Sequence, residues 1–198
     1  MGKKNYKIVG FLMLLMGVLC GCGQKKVPST QIPAVGIDVV YEGFDSAKDY
    51  QDPEKALQDG YYVVVCNDKE DSDSLYGGAE YWNEFLEDSE QGREAFLRIA
   101  SFIDGKFYES HLIYSDGYYY YFHAEQEDLT CRPYQYLRKL TGRDGIPKKD
   151  VTWFVLTDSL ELTYEQAALR FYSSSLEEIK SIPDYQWLGF TIYLPDYN

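Results

Sequence analysis

The sequence predicts an α+β fold: a single domain in which two or three helices pack on a mostly antiparallel sheet. Asp-Gly pairs at residues 104–105 and 116–117 separate three β-rich runs, and Asp-Gly between such runs is the strongest short-range signal for a hairpin. Apolar residues recur at helical spacing in 79–88 and 163–173. The predicted strands outnumber the helices and do not alternate with them, which argues against a parallel βαβ sheet.

The segment before these hairpins predicts a short helix, a strand and a loop. Asp52 followed by Pro53 is a helix start, because an acidic N-cap and a proline at the first helical position both favour it. Gly60 ends that helix. Residues 61–66 are a β-rich run, and 67–78 are a polar, acidic loop.

The central meander, residues 95–124, is predicted to contain strands at 95–103, 106–115 and 118–124. Two-residue loops define its register, and side chains alternate between the two faces of a strand. His111 and His123 therefore point to opposite faces. They are the only histidines of the chain, so a two-histidine metal site is not expected.

The same register brings polar side chains together on each face. Ser110 lies opposite His123, a pairing of nucleophile and base, but nothing around Ser110 resembles a nucleophile elbow. An ordinary cross-strand contact is the better interpretation. His111 lies opposite Arg98, with Glu109 on the same face, and these side chains predict a hydrogen-bonded cluster.

Both faces of the meander carry rows of large apolar side chains, yet only two substantial helices are available to cover them. Two helices, each about 10 Å wide, cover one face of a five- or six-stranded sheet. We therefore expect some of Tyr108, Tyr119 and Tyr121 to stay exposed and to form an interaction face. The alternative is that residues 37–50 and the 141–150 loop bury them as a second core.

The last third of the chain continues the α+β pattern. Thr163 with Gln166 three residues later forms a capping box at the start of a helix, whose apolar face includes Phe171 and Tyr172. The other predicted elements are strands at 132–140, 151–157 and 187–194, a loop at 141–150 and a helical turn at 176–180.

The acidic loop and the cysteines offer two further candidate sites. Cys66 and Cys131 are a possible disulfide pair in a protein outside the cytoplasm, although a buried thiol is also common. The loop is dense in carboxylates that suit Ca²⁺, but it lacks the glycine and glutamate positions of an EF-hand, so a solvated loop is the better interpretation. Its acidic residues are Asp68, Glu70, Asp71 and Asp73.

The first 21 residues predict a signal peptide. Three lysines precede an apolar run at residues 8–19, which is too short to span a bilayer comfortably. Leu19-Cys20-Gly21-Cys22 resembles a bacterial lipobox. That resemblance implies cleavage before Cys22, lipidation of its sulfur and anchoring to the extracytoplasmic face of the cell membrane. Residues 22–36 then form a flexible tether, and 37–198 form the globular domain, beginning with a short strand or an ordered arm.

The domain itself resembles a loosely defined group of small lipoprotein domains from Gram-positive bacteria. The residues that carry the resemblance are the Trp82–Phe85–Leu86 helix, the turn and strand at 116–120, and Val155-Leu156-Thr157-Asp158 ahead of Thr163. The resemblance implies a fold and assigns no site residues.

Charge limits the function classes that remain. The chain carries 32 acidic and 19 basic residues, and removal of residues 1–21 takes away three lysines and no acid. This balance argues against nucleic acid, which needs a basic footprint. No catalytic motif and no cofactor-binding motif is present. We expect a non-catalytic binding module with a protein or glycan partner at the cell surface; the alternatives are an envelope-accessory lipoprotein without a ligand and, less favoured, an extracellular hydrolase.

Overall fold

The computed structural model describes residues 39–40, 43–44, 49–67, 72–125, 130–145 and 148–193. The strands in these residues are β1 (Val39–Val40), β2 (Tyr62–Asn67), β3 (Ser72–Gly77), β4 (Ala95–Ile103), β5 (Lys106–Ser115), β6 (Tyr118–His123), β7 (Thr130–Cys131), β8 (Tyr136–Asp144), β9 (Lys149–Thr157) and β10 (Tyr185–Tyr193). The helices are α1 (Pro53–Gln58), α2 (Ala79–Glu90), α3 (Tyr164–Tyr172) and α4 (Leu176–Ile179).

The larger sheet has five strands in the order β3-β2-β4-β5-β6. Its meander has the predicted register, with Arg98 paired to His111 and His111 paired to Phe122. Asp104 and Asp116 have φ values of 51° and 52°, and the φ values of the glycines that follow them are also positive. A type I′ turn requires this conformation at both central residues, so the prediction of two-residue Asp-Gly turns is confirmed.

Strand β2 joins the meander as a parallel neighbour of β4. A parallel pair needs a crossover connection, and here β3 and α2 form it. The sequence predicts a loop over 67–78, and this is wrong for β3, which pairs antiparallel with β2. β3 is an edge strand of mostly small and polar residues, so its sequence lacks the apolar alternation that would predict a strand. It is recognised as a strand by its backbone pairing with β2.

A second sheet contains three antiparallel strands in the order β10-β9-β8. β8 extends to Asp144 and β9 begins at Lys149, so most of the predicted loop over 141–150 belongs to a hairpin. β1 pairs separately with β7. The prediction of a single sheet of five or six strands is therefore wrong. The predicted α+β class, a mostly antiparallel single domain with packed helices, is confirmed.

The main core lies between the two sheets. It combines Leu97, Ile99 and Leu112 of the larger sheet with side chains of α2 and with Phe154, Leu156 and Leu188 of the second sheet. The outer face of the second sheet packs against α3 around Trp153 and Tyr164. The other face of the larger sheet is covered by α1, Phe44 and Tyr50.

Local sequence signals predict the starts of α1 and α3 correctly. The Asp52 carboxylate accepts a hydrogen bond from the Glu54 N–H at 2.9 Å, and Thr163 and Gln166 form the predicted capping box. Tertiary packing then places α3. Tyr164 lies so close to Gly142 of β8 that a Cβ on that glycine would stand 1.9 Å from the Tyr164 ring, and only glycine permits this approach.

Candidate functional site

The predicted tyrosine face of the meander lies partly in the main core. Tyr121 is only 1% exposed, and its hydroxyl donates a hydrogen bond to the Leu188 carbonyl at 2.5 Å. Tyr119 is half-buried against Phe85 of α2, and Tyr108 is half-buried. Tyr121 is therefore buried, whereas Tyr108 and Tyr119 are partly exposed, as expected for some of the three. That these residues form an interaction face stays a prediction.

The cluster predicted on the opposite face is present and buried. His111 Nε2 lies 3.0 Å from Glu109 Oε1, and the Tyr61 hydroxyl donates to the same oxygen at 2.6 Å. Burial, reinforced by this hydrogen bond, raises the pKa of Tyr61. The Arg98 guanidinium stacks over the Tyr61 ring, with its Cζ 4.4 Å from the ring centre.

Aromatic rings seal this cluster from solvent. Phe44 stacks on the His111 ring with centroids 4.3 Å apart, and Phe96 meets it edge-on. Tyr50 packs edge-on against Tyr61. A carboxylate, an imidazole and a phenol within hydrogen-bond reach could exchange a proton, but a substrate would have to displace Phe44 first. The cluster therefore stabilises the fold in this structure.

Ser110 and His123 also meet as the register predicts, on the face opposite His111. Ser110 Oγ lies 2.9 Å from His123 Nδ1, and burial lowers the pKa of His123. Ser110 is 3% exposed, and the Tyr121 ring packs edge-on against His123. A nucleophile in this position cannot reach an external substrate, so the interpretation as a cross-strand contact agrees with its burial.

Cys66 and Cys131 are not bridged to each other, so the possible disulfide is wrong. Cys66 packs against the core between the sheets, whereas Cys131 lies in the cluster on the other face of the larger sheet. Cys66 lies on β2 and Cys131 lies beside the edge strand β6, so β4 and β5 stand between them.

Several other predicted residues lie outside the described part of the chain: the lipobox with Cys22, the tether 22–36, and Asp68, Glu70 and Asp71 of the acidic loop. Asp73 falls in β3. Across the described ranges, no group of three or more histidine, cysteine, aspartate or glutamate side chains is arranged to hold a metal ion.

Exposed apolar residues concentrate instead at the end of α3. We call Leu169, Phe171, Tyr172 and Leu176 the α3 surface; their exposed fractions are 45%, 51%, 63% and 71%. α3 ends at Tyr172, so three of these residues lie in its last turn, and Leu176 begins α4.

Buried aromatic rings support the α3 surface from below. Phe171 meets the indoles of Trp153 and Trp187 edge-on, with centroids 5.6 and 5.3 Å away. The Tyr172 hydroxyl donates a hydrogen bond to Asp144 Oδ2 at 2.7 Å. These contacts hold two exposed aromatic side chains in place, which lowers the conformational entropy that binding would cost.

Helical periodicity alone assigns Phe171 and Tyr172 to a buried face, so the sequence does not predict this surface. The available signal was Leu169, which lies off the apolar stripe of α3, and Leu176, which follows three consecutive serines.

Among the helices of the described residues, none combines the length and the apolar character needed to cross a membrane. The chain matches no protein-family model, no curated protein and no solved structure.

Proposed function

We propose that this protein is a lipid-anchored binding module of the extracytoplasmic face of the cell membrane, and that its α3 surface binds a protein partner. One observation carries the proposal. Of the seven large hydrophobic residues that are exposed in the described part of the chain, four lie within residues 169–176. Isolated exposed leucines are ordinary, but a concentrated apolar patch marks an interaction site.

The composition of the surface favours a protein over a glycan. Leu169 and Leu176 offer no flat ring for stacking on a sugar, and the Tyr172 hydroxyl already donates to Asp144. Tyrosine, phenylalanine and leucine around a supported aromatic centre are typical of protein interfaces. A flat membrane-bound orientation is disfavoured by the excess of acidic residues, because anionic lipids repel them.

Lipid anchoring is tested by Cys22→Ala with Cys20→Ala as the matched control. We expect the wild-type protein and Cys20→Ala to be membrane-bound, processed at Cys22 and heavier by the lipid. We expect Cys22→Ala to lose the processed, lipid-modified form, because the thiol is the lipid acceptor. Cell fractionation and intact mass measure both properties. Wild-type mass and membrane association in Cys22→Ala would contradict the proposal.

Partner binding is tested by site-specific photo-crosslinking in native cells. A benzophenone amino acid replaces Tyr172, and Tyr76 is the matched control because it is a tyrosine of similar exposure (49%) at the edge strand β3. We expect a discrete protein adduct from position 172 that is absent from position 76.

The adduct should also depend on the leucines of the surface. The double variant Leu169→Ser, Leu176→Ser removes apolar area at two exposed positions and leaves Trp153 and Trp187 unchanged. We expect at least a fivefold loss of adduct, because burial of apolar area contributes about 25 cal/mol per Å² to binding. Equal adducts from positions 172 and 76, or no adduct from 172, would contradict the binding function.

A further inference from the structure

We infer that the partner of the α3 surface is a cationic amphipathic segment, with apolar side chains at its centre and lysine or arginine at its rim. This inference rests on the proposed function and adds the chemistry of the partner. It is carried by the charges that surround the exposed apolar residues.

An acidic and apolar stripe runs along the exposed side of α3. Glu165, Leu169 and Tyr172 are spaced by four and then three residues, so they are neighbours on one side of the helix. Glu165 is exposed like the other two. An approaching segment that covers Leu169 and Tyr172 therefore also meets the Glu165 carboxylate.

The first turn of α4 continues the same pattern. Leu176, at 71% the most exposed of the large hydrophobic residues described, is followed directly by Glu177 and Glu178, which are both exposed. The Ser173 hydroxyl donates to Glu178 Oε2 at 2.9 Å, which holds this carboxylate near the junction of the two helices. The apolar residues thus have acidic neighbours at both ends.

The basic side chains near the α3 surface either bind other groups of the protein or lie at the edge of the surface. The Arg170 guanidinium donates to Asp184 at 2.5 Å and to the Ile182 carbonyl at 3.3 Å, so it points to the loop before β10. Lys180 follows α4 and is exposed, and Lys149 lies across the β8–β9 hairpin from Asp144.

Charge complementarity then selects the partner. Basic rim residues would neutralise the three glutamates, whereas an acidic rim would be repelled by them and by the net negative charge of the whole chain. Such rim contacts act mainly on the association rate and are weakened by salt. The leucines and aromatic residues supply the apolar centre that amphipathic segments need.

The first test measures binding of two synthetic 18-residue amphipathic peptides with the same leucine positions, one with lysine and one with glutamate on the polar face. The protein is the full lipidated chain in uncharged nanodiscs. We expect the lysine peptide to bind at least tenfold more tightly at low salt and to lose most of that advantage at high salt. Equal binding of the two peptides would overturn the inference.

Matched charge variants separate a local effect from attraction by net charge. A triple variant should bind the lysine peptide about tenfold more weakly, as expected for the loss of three rim charges. Its substitutions are Glu165→Gln, Glu177→Gln and Glu178→Gln. The control removes three exposed glutamates of α2 (Glu80→Gln, Glu84→Gln and Glu87→Gln) and should change binding less than twofold. Equal losses in both triple variants would overturn the inference.

The cellular partner distinguishes the inference from the proposed function. If the Tyr172 adduct forms and its yield falls in the α3–α4 triple variant but not in the α2 control, both stand. If the adduct forms and the α3–α4 triple variant leaves its yield unchanged, the partner is not cationic and the inference fails while the binding function stands. If wild type gives no adduct at all, the binding function fails.

Discussion

Above about pH 11 the domain is expected to unfold cooperatively, because several of its tyrosines can ionise only in the unfolded chain. Tyr61, Tyr62, Tyr121 and Tyr134 are at most 5% exposed. Burial raises the pKa of Tyr62 and Tyr134 to about 12, and it also raises the pKa of Tyr61 and Tyr121. An unfolded tyrosine has a pKa of about 10.

The direction of the pH effect on stability follows from which state, folded or unfolded, keeps its phenolic protons. Below pH 10 all four phenols are protonated in both states, so their contribution to stability is fully present. Above pH 10 the unfolded chain loses protons that the folded chain keeps, and each tyrosine then lowers the unfolding free energy by about 1.4 kcal/mol per pH unit. Four tyrosines lower it by about 5–6 kcal/mol per unit, enough to unfold a typical domain at about pH 11–12.

Ellipticity and tyrosinate absorbance, recorded together against pH, measure this transition. We expect a steep rise in tyrosinate absorbance that coincides with the loss of ellipticity. Tyr62→Phe removes one of these ionising groups, so the unfolding free energy of this variant should fall by about 1.4 kcal/mol less per pH unit than that of the wild type. Ionisation of every tyrosine near pH 10 with the ellipticity intact would contradict the burial of these four.

Replacement of His111 by leucine is expected to destabilise the domain by about 1–3 kcal/mol, the cost of leaving a buried Glu109 carboxyl oxygen without one of its hydrogen-bond partners. His111 is 2% exposed and Glu109 is 9% exposed, and the carboxylate oxygen that contacts the imidazole also accepts from Tyr61. Leucine retains apolar contact with Phe44 and Phe96 but offers no hydrogen bond to the carboxylate.

A double-mutant cycle with Glu109→Gln isolates this cause from repacking. Glutamine is uncharged and still accepts from the Tyr61 hydroxyl, so His111→Leu should cost about 1 kcal/mol less in the Glu109→Gln background than in the wild type. Urea denaturation at pH 7 measures all four proteins. The same cost in both backgrounds would mean that the Glu109–His111 contact is not what makes the histidine important.

The structure agrees best with prediction where local chemistry is decisive. The Asp-Gly turns set the meander register, and from that register alone came the opposite placement of His111 and His123 and the meeting of Ser110 with His123. The start of α1 at Pro53 and the capping box of α3 were likewise readable, because each depends on residues a few positions apart.

Prediction was wrong where backbone pairing between strands, rather than the residue pattern within one strand, decides the structure. β3 has few apolar residues to reveal it, and it is a strand because β2 offers its edge. The extension of β8 and β9 into 141–150 depends on backbone pairing in a hairpin. The division into two sheets follows from how β8, β9 and β10 pack over the meander, and no residue pattern within a single strand encodes this.

The sequence by itself determined the α+β class, the meander with its register and the helix starts, because turns, caps and alternation act over a few residues. It also provided the basis for the anchoring prediction at Cys22. Only the tertiary structure decided which aromatic side chains meet solvent. Tyr121 is covered because a second sheet packs on its face, whereas Phe171 remains 51% exposed although its ring packs on Trp153 and Trp187 of that sheet. Exposure depends on segments far apart in sequence, and a tyrosine suited to a surface is equally suited to a core when its hydroxyl finds a carbonyl.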